Sequence, residues 1–145
     1  MNPVSDLIPS PPGAHFPALR VLCVDDNSLV VDALGLRLSL LGGFVWLAPV
    51  SDAGDLLSEV RRQKPDVVLL DIDMPGRDPL DALRELSASE PRVRVLMFSG
   101  LARADLVDRA FDAGAWGFLS KHADVETIVS AIRRVAAGEF LLEQE

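Results

Sequence analysis

The sequence predicts an α/β protein with a doubly wound, five-stranded parallel sheet and helices on both faces. Five short apolar runs alternate with segments of helical periodicity between Leu19 and Gly138. The third run, residues 67–70, contains no polar residue, and it is followed by Asp71 and a Met-Pro-Gly turn. An unbroken aliphatic run that ends near Pro-Gly is typical of a strand covered on both faces. Strands that alternate with helices in this way form parallel sheets with right-handed crossovers.

The first strand is predicted at residues 19–24, where the chain is apolar and leads into an acidic pair. The Asn-Ser pair at residues 27–28 can cap the helix that follows, because both side chains accept hydrogen bonds from free backbone N–H groups. The Gly-Gly pair at residues 42–43 ends this helix. Its inward stripe is predicted to consist of Val30, Leu34, Leu38 and Leu41.

The remaining elements follow from the same rules. Proline at a first turn and glycine after a last turn mark helix ends at Pro79, Gly114 and Gly138. In chain order the predicted elements are a strand at 44–50, a helix opening at Asp52 and closed by Lys64-Pro65, a strand ending at Asp71, a helix from Pro79, a strand at 93–98, a helix up to Gly114, a strand at 116–119 and a last helix that includes 125–135.

Composition excludes several classes of protein. The formal net charge of -8 disfavours direct nucleic-acid binding, which needs clustered Lys and Arg. Cys23 is the only cysteine, so we expect a buried core residue and neither a disulfide nor a thiolate metal site within the chain. The longest uncharged stretch, residues 38–51, is too short to cross a bilayer. With no signal-like N-terminus, we expect a cytoplasmic protein without membrane contact.

The chain is predicted to hold one domain at residues 19–138. Residues 1–18 contain five prolines and few core-forming residues, so we expect a flexible arm there. Residues 139–145 are expected to be a C-terminal tail or the start of a linker.

Polar residues follow four of the five predicted strands, and the carboxyl ends of parallel strands share one edge of a sheet. These residues are Asp25, Asp26, Asp71, Ser99 and Lys121. Three carboxylates at one edge repel one another by roughly 3 kcal/mol per pair at about 5 Å and an effective dielectric constant of about 20. Such a group needs a counter-charge, and its oxygen donors suit Mg²⁺ better than zinc.

A carboxylate beside a divalent ion, an ammonium group and a hydroxyl can carry out covalent phosphoryl transfer. Asp71 would attack phosphorus and become an acyl phosphate. The cation would be held by Asp26 and Asp71, with Asp25 as a further ligand through water. Lys121 and Ser99 would each bind a phosphoryl oxygen. Taken singly, these residues also fit ordinary roles as helix caps, a turn residue and a surface lysine.

The sequence resembles the receiver domain of two-component response regulators from about Leu19 to Ala137. The resemblance is carried by VDDN at residues 24–27, DIDMPG at 71–76, the Ser-Gly pair at 99–100 and GAWGFLSK at 114–121. It implies a flavodoxin-like (β/α)5 fold with strand order 2-1-3-4-5. The last motif is most similar to receivers followed by a helix-turn-helix output domain, so the chain is either a stand-alone receiver or part of a DNA-binding transcription regulator.

The resemblance also implies the roles of single residues. Asp71 is the implied phosphoacceptor, and Mg²⁺ is held by Asp25, Asp26, Asp71 and the backbone carbonyl of Asp73. Ser99 and Lys121 bind the phosphoryl group. The donor is a sensor histidine kinase or a phosphotransfer protein, and the chain is not an enzyme beyond its own phosphorylation and autodephosphorylation.

A conformational switch is implied as well, in which Ser99 moves toward the phosphoryl group and Phe118 swings inward behind it. A plain core role for Phe118 is the alternative.

Two departures from the common receiver pattern predict a changed autodephosphorylation rate. Asp73 places a second carboxylate two residues after the acceptor, and Leu101 places an apolar side chain two residues after Ser99. Both positions flank the path of an attacking water molecule.

The first helix carries apolar residues outside its inward stripe, namely Leu29, Leu36 and Leu40. They suggest a contact surface, formed by this helix alone or together with the last helix, that could support a homodimer. A helix simply well covered by its neighbours is the alternative.

Two other functions remain open at the level of sequence. Asp71 and Asp73 have the DxD form of the haloacid-dehalogenase phosphatases, although in that superfamily the motif follows the first core strand. The chain could also be a receiver-like scaffold that never accepts phosphate, and the intact Asp, Ser and Lys set argues against this.

Overall fold

The computed structural model describes residues 17–100 and 104–141. Within them, five strands form one parallel sheet in the order β2-β1-β3-β4-β5, as predicted. The strands are β1 (Leu19–Val24), β2 (Phe44–Trp46), β3 (Val67–Asp71), β4 (Arg94–Ser99) and β5 (Gly117–Ser120). The helices are α1 (Ser28–Leu41), α2 (Leu56–Gln63), α3 (Pro79–Ser89), α4 (Ala104–Ala113) and α5 (Val125–Ala136), with a 3₁₀ turn at Ala53–Asp55 before α2.

Strand β3 lies at the centre of the sheet because its side chains are apolar on both faces. All five of its residues are buried. Alternate residues enter two separate cores, as the two-residue period of a strand requires. Val68 and Leu70 pack with residues of α2, α3 and α4, whereas Val67 and Leu69 pack with residues of α1 and α5. Each buried Val or Leu contributes about 1.5–3 kcal/mol.

Cys23 belongs to the core on the α1 and α5 side, as expected. Burial, followed by the negative charge of Asp25, raises the pKa of its thiol to about 12. The thiol is therefore protonated and enclosed at neutral pH.

Strand β2 is shorter than predicted, since it ends at Trp46 and not at residue 50. Pro49 has no N–H group to donate to a sheet. The peptide groups of Ala48 instead bond to the Gln63 side chain, with Ala48 N–H donating to Oε1 at 2.9 Å and Nε2 donating to Ala48 O at 2.8 Å. Val50 then returns to the sheet in a single bridge to Val24.

The second helix also begins later than predicted. Asp52 caps a 3₁₀ turn by accepting from Gly54 N–H at 2.8 Å, and the α-helix starts only at Leu56.

The inward face of α1 differs from the predicted stripe. Its buried residues are Val31, Leu34, Gly35 and Leu38, whereas Leu41 is 57% exposed and Val30 is half-buried. Because α1 is apolar on several sides, its periodicity does not determine its rotation about the helix axis. The rotation is set by packing, in which Gly35 lies directly against the indole of Trp46.

We expect Gly35→Ala to destabilise the protein by about 1–3 kcal/mol, because a new methyl group overpacks the contact with Trp46. A Cβ at residue 35 would lie 2.7 Å from Trp46 Cδ1. In an unhindered helix the same change stabilises by about 0.5–1 kcal/mol, so the sign is informative. Urea unfolding measures the change in the free energy of unfolding. In a Trp46→Leu background the cost should disappear, and a cost that persists there would contradict the contact as its cause.

The predicted terminal segments lie partly outside the described residues. Residues 1–16 of the predicted arm and residues 142–145 of the predicted tail lie outside the described ranges. Residues 139–141 are described, and they return to the edge of β5, where Gly117 and Leu141 form a parallel bridge. Within the described ranges no helix has the length and apolar character needed to cross a membrane.

Candidate functional site

The register of the sheet brings the predicted site residues together. Asp71 pairs with Phe98 of β4, and Ser99 pairs with Ser120 of β5. Asp25 directly follows β1, and Lys121 directly follows β5. All four residues therefore lie at the carboxyl edge of the sheet, where parallel α/β proteins bind ligands.

Three carboxylates form a compact acidic cluster. Asp25, Asp26 and Asp71 each offer one oxygen atom, and these oxygens lie within 4.8 Å of one another. Asp25 and Asp71 are buried, whereas Asp26 is exposed. The donor set contains only oxygen. These features fit a hard divalent cation such as Mg²⁺.

Lys121 supplies the positive charge that partly balances this cluster. Its Nζ lies 2.8 Å from Asp25 Oδ2 and 3.0 Å from Asp71 Oδ2. Burial alone would lower the pKa of Lys121, but its contacts with Asp25 and Asp71 outweigh burial and raise the pKa above its usual value. Lys121 is therefore charged at neutral pH.

Asp71 is held at both carboxylate oxygens. Oδ1 accepts from the Asp73 N–H at 2.9 Å, and Oδ2 contacts Lys121 Nζ. Burial is the main reason that the pKa of Asp71 is raised, and the charge of Asp25 adds to it, while the Asp73 N–H and Lys121 oppose the shift. The site therefore holds Asp71 as a desolvated, oriented carboxylate.

The structure reveals a contact that the sequence reading missed. The Ser99 hydroxyl, which is fully buried, donates to Asp73 Oδ2 at 3.2 Å. From the sequence, the backbone carbonyl of Asp73 was predicted as a metal ligand, and its side chain as a neighbour of the water path or as the second acid of a DxD motif. No local pattern predicts its contact with Ser99, because the two residues are 26 positions apart.

Phe118, the predicted second switch residue, is only 4% exposed. It packs in the core on the α2, α3 and α4 side of the sheet. Phe118 is thus already buried while Asp71 is unmodified, so burial by itself does not distinguish two states. Leu101 lies outside the described residues.

The fold and this edge of the sheet define a class of signalling domain. Residues 21–133 match the family described as the response regulator receiver domain. The chain belongs to this family. Membership favours the receiver over the haloacid-dehalogenase alternative.

Particular relatives agree with this assignment. The transcriptional activator protein ExaE of Pseudomonas putida is 41% identical over 129 residues, which are 87% of this chain and 59% of ExaE. Response regulator GacA of Pseudomonas aeruginosa is 36% identical over 121 residues, which are 83% of this chain and 56% of GacA. The chain thus spans less than two thirds of the length of these relatives.

A solved structure shows the same fold. The signal receiver domain of NarL from Mycobacterium tuberculosis matches with a TM-score of 0.81 and 31% sequence identity, covering 86% of this chain and 100% of that domain.

Proposed function

We propose that this receiver accepts a phosphoryl group on Asp71 from a sensor histidine kinase or a phosphotransfer protein. The observation that carries the proposal is the environment of Asp71, a buried carboxylate that contacts Lys121 Nζ at 3.0 Å and belongs to the acidic cluster. A scaffold without phosphoryl chemistry has no need for three neighbouring carboxylates, which repel one another.

In the proposed step, an Asp71 oxygen attacks phosphorus in line as the P–N bond of phosphohistidine breaks, and its electron pair stays on the histidine nitrogen. The Asp73 N–H orients the carboxylate for this attack. Lys121 then pairs with a phosphoryl oxygen. Asp25, Asp26, Asp71 and the backbone carbonyl of Asp73 would hold Mg²⁺, which when bound neutralises charge on the transferring oxygens.

Ser99 would complete the site after transfer. Its hydroxyl donates to Asp73 in the unmodified protein, and the phosphoryl group offers a competing acceptor. One charge-assisted hydrogen bond contributes roughly 1.5–3 kcal/mol, whereas full switching between two states needs about 5.5 kcal/mol. We therefore propose that a partner or a second copy completes the conformational change, with Phe118 as the responding side chain.

The names of the relatives suggest what this receiver controls. One relative's name describes a transcriptional activator, and the chain spans only part of that protein. We propose that this receiver controls an output domain of a longer regulator, and action on a separate partner protein is the alternative.

The proposal is tested by intact-mass spectrometry after incubation with acetyl phosphate, with and without Mg²⁺. We expect one phosphoryl adduct that requires Mg²⁺, is labile to hydroxylamine and maps to the peptide containing Asp71. An adduct on a different residue would contradict the assignment of the acceptor. No adduct under any condition would favour the scaffold.

Asp73 is expected to shorten the lifetime of the phosphoryl group, because its carboxylate can accept a proton from attacking water. Asp73→Asn retains an acceptor for Ser99 but removes the base, so the lifetime should lengthen by about threefold or more. The rate at which the phosphoryl adduct disappears from the mass spectrum measures this lifetime. Asp66→Asn makes the same change of charge at the opposite end of β3 and serves as the control. Equal lifetimes in the wild type and in Asp73→Asn would exclude this role.

We further propose a homodimer through the outer face of α1. Leu29, Leu36 and Leu40 are 81%, 61% and 75% exposed. With Ala33 they recur at intervals of four, three and four residues, which is the spacing of a two-helix seam. A second copy offers the same seam, so the contact is self-complementary.

Substitution of this seam should weaken the dimer. We expect the double variant Leu36→Ser/Leu40→Ser to raise the dissociation constant of the dimer at least about tenfold, because two leucines lose their apolar burial in the interface. The mass measured by light scattering should shift toward that of the monomer. Leu41→Ser is the matched control, because Leu41 is also exposed but points away from the seam. An unchanged mass with and without acetyl phosphate would disprove the seam.

A further inference from the structure

The chain turns back toward the sheet immediately after α5. Gly138, with φ +96°, occupies the left-handed position that ends the helix. Its N–H donates to Val135 O at 3.0 Å, and the N–H of Glu139 donates to Arg134 O at 3.0 Å. These two bonds form a Schellman motif, which reverses the chain direction. The next two residues, Phe140 and Leu141, therefore reach the outer edge of β5.

Both residues bind the start of β5. The Leu141 N–H donates to Trp116 O at 2.8 Å, and Leu141 pairs with Gly117 in a parallel bridge. The Phe140 ring stacks on the Trp116 ring at 3.9 Å with 3° between the planes. We call these contacts of Trp116 and Gly117 with Phe140 and Leu141 the C-terminal latch.

The latch is closely fitted and anchored to the body of the domain. A Cβ at Gly117 would lie 2.6 Å from Leu96 Cδ2 and 3.0 Å from Leu141 Cβ, so a larger residue would have to displace these neighbours. Arg94 places its guanidinium 4.7 Å from the centre of the Trp116 ring. Arg94 Nη1 also donates to Val135 O and Ala136 O at 3.0 and 2.8 Å, which fixes the end of α5. A small movement of β5 therefore changes the latch contacts directly.

Strand β5 connects the latch to the phosphoryl site. It is four residues long, and it spans about 13 Å at about 3.3 Å per residue. Gly117 of the latch is at its start, Phe118 follows, and Lys121 comes directly after its end. In this structure Lys121 Nζ lies 3.0 Å from Asp71 Oδ2, so the latch is closed while Lys121 contacts the Asp71 carboxylate.

We propose that the C-terminal latch couples phosphorylation of Asp71 to the chain that follows the receiver. The inference rests on the proposed function. When Lys121 leaves the Asp71 carboxylate for the phosphoryl group, β5 shifts, and the contacts of Leu141 and Phe140 loosen. The segment after α5 is then released from the sheet.

Amide hydrogen exchange of the full chain, read by NMR with acetyl phosphate and Mg²⁺, tests the latch. We expect the Leu141 N–H to exchange at least about fivefold faster in the phosphorylated protein. The Asp66 N–H, which donates to Arg20 O between the inner strands β3 and β1, is the internal control. An adduct with unchanged Leu141 exchange overturns the latch and leaves the proposed function intact. No adduct overturns both.

Thermodynamic reciprocity supplies a second measurement. If phosphorylation opens the latch, opening the latch must favour the phosphorylated state. Phe140→Ala should therefore bind beryllofluoride, a phosphoryl mimic, at least about twofold more tightly in the presence of Mg²⁺. Val45→Ala, at the opposite edge strand β2, should leave this affinity unchanged. A Trp46→Phe background makes Trp116 the only tryptophan, so its fluorescence reports binding. Equal affinities for the wild type and Phe140→Ala overturn the coupling.

Discussion

Asp71→Asn is expected to abolish the phosphoryl adduct completely and at the same time to stabilise the fold. Loss of the adduct follows because an amide oxygen is not an effective nucleophile, and it is also a weaker ligand for Mg²⁺ than a carboxylate. Stabilisation follows because burial and the charge of Asp25 raise the pKa of Asp71. Ionisation of Asp71 therefore costs stability in the folded state.

The sign of the pH dependence follows from this direction. A carboxyl group whose pKa is raised on folding favours the fold at low pH, and this contribution is lost as pH rises through the folded pKa. At neutral pH the ionised Asp71 carboxylate therefore lowers the free energy of unfolding of the wild type, and the Asn substitution removes this cost. We expect a gain of about 1 kcal/mol in the free energy of unfolding without Mg²⁺, because Asn removes the burial cost of the charge and its repulsion by Asp25, which together outweigh the lost contact with Lys121.

Urea unfolding without and with Mg²⁺ measures the effect. Mg²⁺ should stabilise the wild type more than the variant and so reduce the difference between them. Asp66→Asn, one residue before β3 and outside the acidic cluster, keeps an oxygen that can accept from the Arg20 N–H, so it should not stabilise the fold. If Asp71→Asn is less stable than the wild type in the absence of Mg²⁺, desolvation and repulsion do not dominate at this site.

Lys121→Met is expected to cost about 3 kcal/mol of stability at neutral pH, because it leaves Asp25 and Asp71 buried without their cation. The ammonium group lies within 3.0 Å of both carboxylates. Methionine preserves most of the side-chain volume, so the loss reports charge and not packing. Mg²⁺ should recover part of the stability, since a cation bound by the acidic cluster replaces the missing positive charge.

Acidification distinguishes loss of the Lys121 charge from loss of packing as the cause of the lower stability. Lys121 opposes the rise in the pKa of Asp71, so its removal raises that pKa further, and the variant should regain stability relative to the wild type as pH falls from neutral. Lys64→Met is the matched control, because Lys64 is the other lysine of the chain and is exposed. Thermal unfolding across pH provides the readout. A deficit that is the same at every pH and insensitive to Mg²⁺ would point to packing instead.

The sequence alone determined the fold class and the edge at which the site forms. The uninterrupted apolar run before Asp71 required a strand buried on both faces, and β3 is that central strand. The strand order came from the resemblance and agrees with the observed sheet. The convergence of Asp25, Asp71, Ser99 and Lys121 was predictable, because the carboxyl ends of parallel strands share one edge regardless of side-chain detail.

Only the tertiary structure decided contacts that depend on packing between distant segments. The Ser99–Asp73 hydrogen bond joins residues 26 positions apart, and no local pattern encodes it. The rotation of α1, which leaves Leu41 exposed, was wrongly predicted because an all-round apolar helix has no preferred face until Gly35 meets Trp46. Likewise, the return of Phe140 to Trp116 required the helix end, the glycine turn and the strand edge to be placed together in space. Periodicity predicts which residues share one face of a helix or strand. The residues that this face contacts depend on how the whole chain packs.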